Sequence, residues 1–502
     1  MNLAAAFSNS AEKCSQKTAI FWGESEYSYE QLWTESLAVA NSLQNKFVVE
    51  PGDRIGLWLK NCPEFVPAVF GIFLAGGVVV PINNFLKPDE VNYILNDAGI
   101  NVLITDATMA EGTATLTTLR LPLRCLRAEE FGGLPATSSS FKLSERTESD
   151  LAVIIYTSGT TGKPKGAMLT HGNLLHNVDS CRQVLQAVGD DRFVVLLPMF
   201  HSFMLCVGVF LPLIAGGSMV LVKSLHPQKN LIQEIIHRQA SILPAIPQFF
   251  RSLTGTPSGL KLPARLCVSG SAPLPAQVLK EFTERFSTPL LEGYGLSEAS
   301  PVVSMNPLAG PWKAGSIGVP IPNVEVSVQN EAGQMLAAGQ TGEICVRGGN
   351  VMQGYWNQPE ETAKTLHNGW LLTGDVGHRD ADGYFFITDR KKDMLLVNGI
   401  NVYPREIEEI IYHFPGVKEA AVVGLPDPRK GEQPVAFVAA TDGTKLEEKA
   451  LLQFVRQKLA DYKVPRRVVF MQALPRNATG KILKTALRQS ALASNLTSAT
   501  TD

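Results

Sequence analysis

Apolar residues in this chain gather in short unbroken runs. "LAVIIY" (151–156) and "FVVLLP" (193–198) carry no charge, and "ARLCVSG" (264–270) carries a single arginine near its start. Runs of that length predict strands buried on both faces. The longer mixed stretches between them predict helices, the wiring of parallel α/β layers. After "YFFITDRKKD" (384–393) the pattern changes. Strands in "AAVVGLP" (420–426), "PVAFVAA" (434–440) and "RRVVFM" (466–471) surround a charged helix near 446–460. This predicts a separate α+β unit of roughly a hundred residues, an ordinary domain size. The expected division is a large domain over 1–389, a joint at 390–392 within the polar run 389–393, and a small domain over 393–502.

One run tests the membrane alternative. "FVPAVFGIFLAGGVVVPI" (65–82) is uncharged over about the shortest span that crosses a bilayer, roughly 18 residues. Two prolines and the Gly76-Gly77 pair instead predict a buried helix, a glycine break and a short β-branched strand. "FMLCVGVFLPLIAGGSMVLV" (203–222) repeats this plan with the same Ala-Gly-Gly break. The recurrence suggests two comparable α/β layers.

Composition narrows the class. With 502 residues, 45% of them hydrophobic and 18% charged, the chain can bury a large core and exceeds one ordinary domain. A formal net charge of −2 gives no electrostatic footprint for nucleic acid. The seven scattered cysteines form no CxxC pair, which argues for reduced thiols in a cytoplasmic setting and against a zinc site. The first residues lack the basic start and apolar run of a secretory leader.

"YTSGTTGKPKGAMLTH" (156–171) raises the question of phosphate binding. "LAVIIY" is expected to deliver the loop. Thr170 is expected to cap a following helix whose Leu174, Val178, Cys181 and Leu185 share one face. Between them, glycine amides, hydroxyls and ammonium groups offer what phosphate oxygens need. The spacing is not that of GxxxxGK[ST], because Gly159 and Gly162 stand three apart and Pro164 follows Lys163.

With "LPMFHSF" (197–203), "LLEGYGLSE" (290–298), "TGEICVRGGNVMQGYW" (341–356), "WLLTGDVG" (370–377), "ITDRKKDMLLVNGINVYP" (387–404) and "LPRNATGKILK" (474–484), the chain resembles the adenylate-forming superfamily. That group holds acyl-CoA synthetases, peptide-synthetase adenylation domains and luciferases, and the likeness is strongest to bacterial fatty-acid–CoA ligases. It implies an acid–thiol ligase in which a carboxylate attacks ATP, pyrophosphate leaves, and a thiol displaces AMP from the acyl-adenylate. Such chemistry needs positioned reactants and neutralised charge, with no protein nucleophile.

The resemblance implies roles residue by residue. Thr157, Ser158, Gly159, Thr160 and Thr161 would hold the β- and γ-phosphates. Lys163 and Lys165 either add charge there or are solvated surface lysines. Glu298 would bind the Mg²⁺ that bridges the phosphates, with Ser297 where threonine is commoner. Tyr294 would stack on adenine, within a nucleotide wall that includes Gly270, Ala272, Gly293 and Gly295. Asp375 would take the ribose hydroxyls, and Arg390 would touch ribose or phosphate. Lys481 would bridge the substrate carboxylate and the α-phosphate. A rotation about Lys392 would withdraw Lys481 and bring up Gly399, which leaves room for the pantetheine arm of CoA.

His201 stands where amino-acid-activating relatives carry aspartate, so a carboxylic acid without an ammonium group is expected. Phe203 to Val207 suit an alkyl chain or aryl ring, or simply helix core. The expected substrates are a medium- to long-chain fatty acid, ATP and CoA. The alternatives are an aryl or other small acid, and an acyl carrier protein as acceptor. A homodimer and peripheral membrane contact are left open, with no nucleic acid and no membrane span.

Overall fold

The computed structural model describes residues 1–498, except 120–121, 136–142, 158–162, 225–226, 257–258, 428–429 and 478–479. Among the described residues the strands form four sheets.

The first sheet has seven strands. Leu151–Thr157, Val78–Pro81, Arg54–Trp58, Val102–Thr105 and Arg124–Arg127 run parallel in that order. Lys165–Thr170 folds back antiparallel on Leu151–Thr157, and Gly354–Tyr355 closes that edge. The second sheet has nine strands and a parallel centre running Leu290–Gly295, Leu266–Ser269, Ile242–Ala245, Arg192–Val195, Ser218–Leu221 and Thr18–Trp22. Its two margins are antiparallel.

The repeated apolar unit therefore serves both layers, once each. Phe65–Leu74 is a helix with all of its residues buried, and Val78–Pro81 is the strand after its glycine break. Ser218–Leu221 plays the same part in the second sheet. No helix among the described residues is long and apolar enough to cross a membrane. The second unit's helix departs from the α form: Met204–Phe210 is a π-helix, in which the Leu211 N–H donates to the Cys206 carbonyl five residues back. Only then does it return to α over Leu211–Ile214.

The third sheet is wholly antiparallel: Val324–Gln329, Gly342–Gly348, Trp370–Arg379 and Leu366–His367, with Phe385–Arg390 also paired to Trp370–Arg379. Parallel wiring does not extend to it. The fourth sheet begins only after Lys392. It comprises Ile400–Val402, Leu395–Val397, Gly431–Ala440 and Val417–Asp427, with Val468–Met471 parallel to Gly431–Ala440. Helices Pro404–Tyr412 and Glu448–Arg456 pack their apolar residues on it around Ile407, Ile411, Leu451 and Val455.

One expectation about the glycine-rich loop needs correcting. It does not run from a strand directly into the capped helix. Thr157 and Lys165 are cross-strand partners of an antiparallel pair, and it is the second strand, Lys165–Thr170, that enters the helix His171–Leu185. Thr170 does cap that helix, in a reciprocal pair with Asn173, and Leu174, Val178, Cys181 and Leu185 are buried.

Candidate active site

A cavity of about 260 Å³ lies where the large sheets meet the C-terminal lobe. Ala272, Gly293, Tyr294, Gly295, Asp375, Arg390 and Lys481 all line it. Residues spread over 200 positions of sequence are thus brought to one wall.

Two adjacent strands set its charge. Asp375 and Arg390 are opposite each other in the antiparallel pair of Trp370–Arg379 and Phe385–Arg390. Asp375 is almost fully buried, and the Thr373 hydroxyl accepts its backbone N–H at 3.1 Å. One carboxylate oxygen meets Arg390 Nε at 2.8 Å, and the other accepts from the Tyr294 hydroxyl at 2.5 Å. An ionised carboxylate offers about four acceptor sites, so this pairing leaves capacity for further donors. Asp375 raises the pKa of Arg390. Burial, and then Asp375, push the Tyr294 phenol well above its ordinary range.

Lys481 reaches the same wall from the small domain. Burial and the nearby Arg390 lower its pKa to about 8, against a smaller opposing pull from Asp375. A half-buried ammonium bordering a cavity, with its pKa lowered toward neutrality, is suited to meeting an incoming anion.

Glu298 lies in a short 3₁₀ turn, Ser297–Ala299, just beyond the strand Leu290–Gly295, and is not among the residues lining the cavity. Its Oε1 accepts from the Tyr355 hydroxyl at 2.9 Å. The Ser297 hydroxyl is 3.0 Å from that of Ser202. Thr157 ends its strand at the foot of the loop. Ser158, Gly159, Thr160 and Thr161 lie outside the described residues.

The reading of Lys165 as a solvated surface lysine does not hold. It is a buried cation whose ammonium pairs with Glu361, and it sits over the Tyr355 ring at 5.3 Å. Lys165 and Lys364 hold the Glu361 carboxyl down to about 2. Lys165 therefore buttresses Tyr355, which in turn holds Glu298. Lys163 lies over the Tyr93 ring at 5.9 Å.

Gly270 is not among the residues lining the cavity. A side chain there would meet the Phe203 ring at 3.2 Å, so Gly270 packs closely against that ring. His201 is held neutral, because burial lowers its pKa to about 4. Its Nδ1 accepts the Phe203 N–H at 3.3 Å, which places the ring proton on Nε2. Met204 to Val207 are fully buried.

Lys392 is exposed in the turn between the third and fourth sheets. Just before it, Lys391 is anchored to the large domain through Glu343 Oε2 at 2.6 Å. Gly399 and Asn398 both have positive φ, the two-residue turn of the hairpin Leu395–Val402. Gly399 is exposed there and lies outside the cavity.

Sequence reasoning passed over several residues of the site. Tyr355, Glu361, Thr373 and Ser202 all act through partners 29 to 196 positions away or through a neighbouring turn. Tyr355 stands inside the quoted "GYW" stretch, and that was its one available signal.

The profile of the AMP-binding enzyme family matches residues 7–356, and that of its C-terminal domain matches 406–481. The chain is 36% identical to the long-chain-fatty-acid–CoA ligase of Bacillus subtilis, over 95% of this chain and 92% of that protein. It is equally 36% identical to a feruloyl-CoA synthase of Amycolatopsis, over 94% and 95% of the two chains. ATP-bound MatB from Rhodopseudomonas palustris superimposes with a TM-score of 0.90 at 32% identity, covering 98% of this chain and 99% of that one. Apo MatB, with the same identity and coverage, gives 0.78.

Proposed function

The chain belongs to the AMP-binding enzyme family and is an AMP-forming acyl-CoA synthetase, and on that premise we propose that it activates a medium- to long-chain fatty acid and passes the acyl group to CoA. The observation that carries this reading is the joint presence of Lys481, Asp375, Arg390 and Tyr294 on one cavity wall. Asp375 accepts the ribose hydroxyls, and Arg390, already fixed by that carboxylate, adds positive charge beside them. Lys481 offsets the charge that builds as the acid's carboxylate meets the α-phosphate. Thr157, Ser158, Gly159, Thr160 and Thr161 hold the outer phosphates, and Tyr294 with Ala272, Gly293 and Gly295 encloses the base.

Among the described residues, no three His, Cys, Asp or Glu side chains gather as a metal cage. Mg²⁺ commonly takes one or two carboxylates and completes its shell with substrate phosphates and water. Glu298 suits that mode, since Tyr355 occupies only one of its oxygens. Bound there, Mg²⁺ would neutralise phosphate charge.

The division at 390–392 and the exposed Lys392 support a small domain that turns between the two half-reactions. The turn withdraws Lys481 and brings Gly399 to the thiol channel. The neutral, buried His201 supports an uncharged acyl chain, because a fixed carboxylate for a substrate ammonium is missing at that position.

A second reading is favoured by one observation. The Phe203 ring closes on Gly270, and Met204 to Val207 expose almost no surface, which leaves little open length for an alkyl chain. A compact aryl acid would fit with less rearrangement. Acid-dependent ATP–pyrophosphate exchange over straight-chain and aryl acids separates the two. Exchange that is fastest with C8–C16 acids supports the first reading, and exchange confined to aryl acids overturns it. Repeating the second step with CoA and with a phosphopantetheinylated carrier protein identifies the acceptor.

A further inference from the structure

We propose that Arg251 is a positioning residue for acyl-adenylate formation, holding the small domain in the pose that places Lys481 at the cavity. The proposal rests on the reading of a rotating C-terminal lobe. Arg251 belongs to the helix Pro247–Thr254, which follows the strand Ile242–Ala245 of the large domain. Its guanidinium reaches across to the small domain. One nitrogen donates to the Val417 carbonyl at 2.9 Å, and another donates to the Lys418 carbonyl.

Those carbonyls are available for a local reason. The ladder between Val417–Asp427 and Gly431–Ala440 shifts register between Val417 and Glu419, so Lys418 drops out of the pairing. An irregularity of this kind leaves backbone groups without ladder partners. The Glu419 carboxylate is engaged within the small domain, by Arg476 at 3.0 Å and by the Leu474 N–H at 3.3 Å. A guanidinium suits the task, since its fork of donors can grip two oxygens at once.

A second contact from the same segment lies beside the catalytic lysine. Gly480 has φ +79°, and a side chain there would sit 2.3 Å from Ile246 Cδ1. Ile246 immediately precedes the Arg251 helix. The helix and its leading residue thus form a ledge, and Lys481 follows the glycine that seats on it. Ile246, Arg251, Gly480 and Lys481 all border the same cavity. Both contacts must break when the lobe turns, so the ledge favours the first half-reaction over the second.

The test separates the half-reactions. Arg251→Ala and Arg251→Gln are expected to lower the kcat of acid-dependent ATP–pyrophosphate exchange about tenfold or more, the scale of a lost charge-assisted pair of hydrogen bonds. The KM values for ATP and acid should stay within about threefold, since Arg251 holds the lobe and not the substrates. Thioester formation from supplied acyl-AMP and CoA should not slow, and Arg251→Lys should restore part of the exchange. Unchanged exchange, or equal loss in both half-reactions, overturns the assignment. Lys392→Pro is the control. If it spares both half-reactions, the rotating-lobe reading itself fails. If it blocks only thioester formation while Arg251→Ala leaves exchange intact, only the role of Arg251 fails.

Discussion

The Asp375 carboxylate faces the Arg390 guanidinium from the adjoining strand at 2.8 Å, and the Tyr294 hydroxyl takes its other oxygen at 2.5 Å. A strand-to-strand ion pair is thereby braced by a third element from a different sheet. The carboxylate is held from two elements at once, the kind of fixing that preorganises a site.

Asp375→Asn keeps the shape and removes the charge. It is expected to lower ATP–pyrophosphate exchange by about 10²-fold. Leaving Arg390 and Tyr294 poorly paired should also cost about 1–3 kcal/mol of stability. Exchange assays with thermal melts check both, and exchange within twofold of the wild type would remove Asp375 from the nucleotide site.

Lys481 gives a pH signature. Its pKa is lowered to about 8, so its charge is present below that pH and lost above it. The kcat/KM for ATP in adenylation should therefore fall as pH rises through about 8, because that ratio reports the free enzyme. Lys481→Ala should lower adenylation about 10²–10³-fold at neutral pH while sparing thioester formation from supplied acyl-AMP. A profile flat to higher pH, or equal loss in the two steps, would contradict this role.

Lys392→Pro fixes φ at the joint between Lys391, tied to Glu343, and the first strand of the small domain. Thioester formation should slow about tenfold or more while exchange is retained. Rapid-quench measurement of each step reads the difference, and parallel loss would show a folding defect instead.

His171 predicts acid sensitivity. Burial, and then Arg146, lower its pKa from 6.5 to about 4, and its Nδ1 accepts the Leu3 N–H at 3.3 Å. As pH falls below 6.5 the unfolded chain takes up this proton first, so stability is full above 6.5 and is lost toward 4. The loss should reach ~2 kcal/mol by pH 5. Urea unfolding at pH 7, 6 and 5 measures it. His171→Gln, which keeps an acceptor without titrating, should flatten the decline, and an unchanged slope would assign it to other groups.

The two α/β layers were legible because their strands are buried on both faces and so read as unbroken apolar runs, as Leu151–Thr157 does. The antiparallel sheet was not, since strands such as Val324–Gln329 are partly exposed and carry polar residues that resemble loop. Motif residues such as Asp375 and Lys481 could be read because their neighbours in sequence mark them. The burial of Lys165 is hidden for the opposite reason: its partner Glu361 lies 196 residues away, and a lysine next to a glycine-rich loop looks solvated. Arg251 leaves no trace in the linear pattern, because its acceptors are backbone oxygens that any sequence would supply.

The π-helix Met204–Phe210 carries one residue more than its path requires. Deleting a single position inside it would let the segment relax to an ordinary α-helix without lengthening or breaking it. The side chains inside the bulge would then be re-aimed about the axis, while those beyond it kept their places, because the bulge alone absorbs the extra residue. A chain one residue shorter here could therefore present a different set of side chains from this segment while the elements on either side of it stayed in place. A length change inside the bulge alters one buried face in a single step, which point substitutions would reach only one side chain at a time.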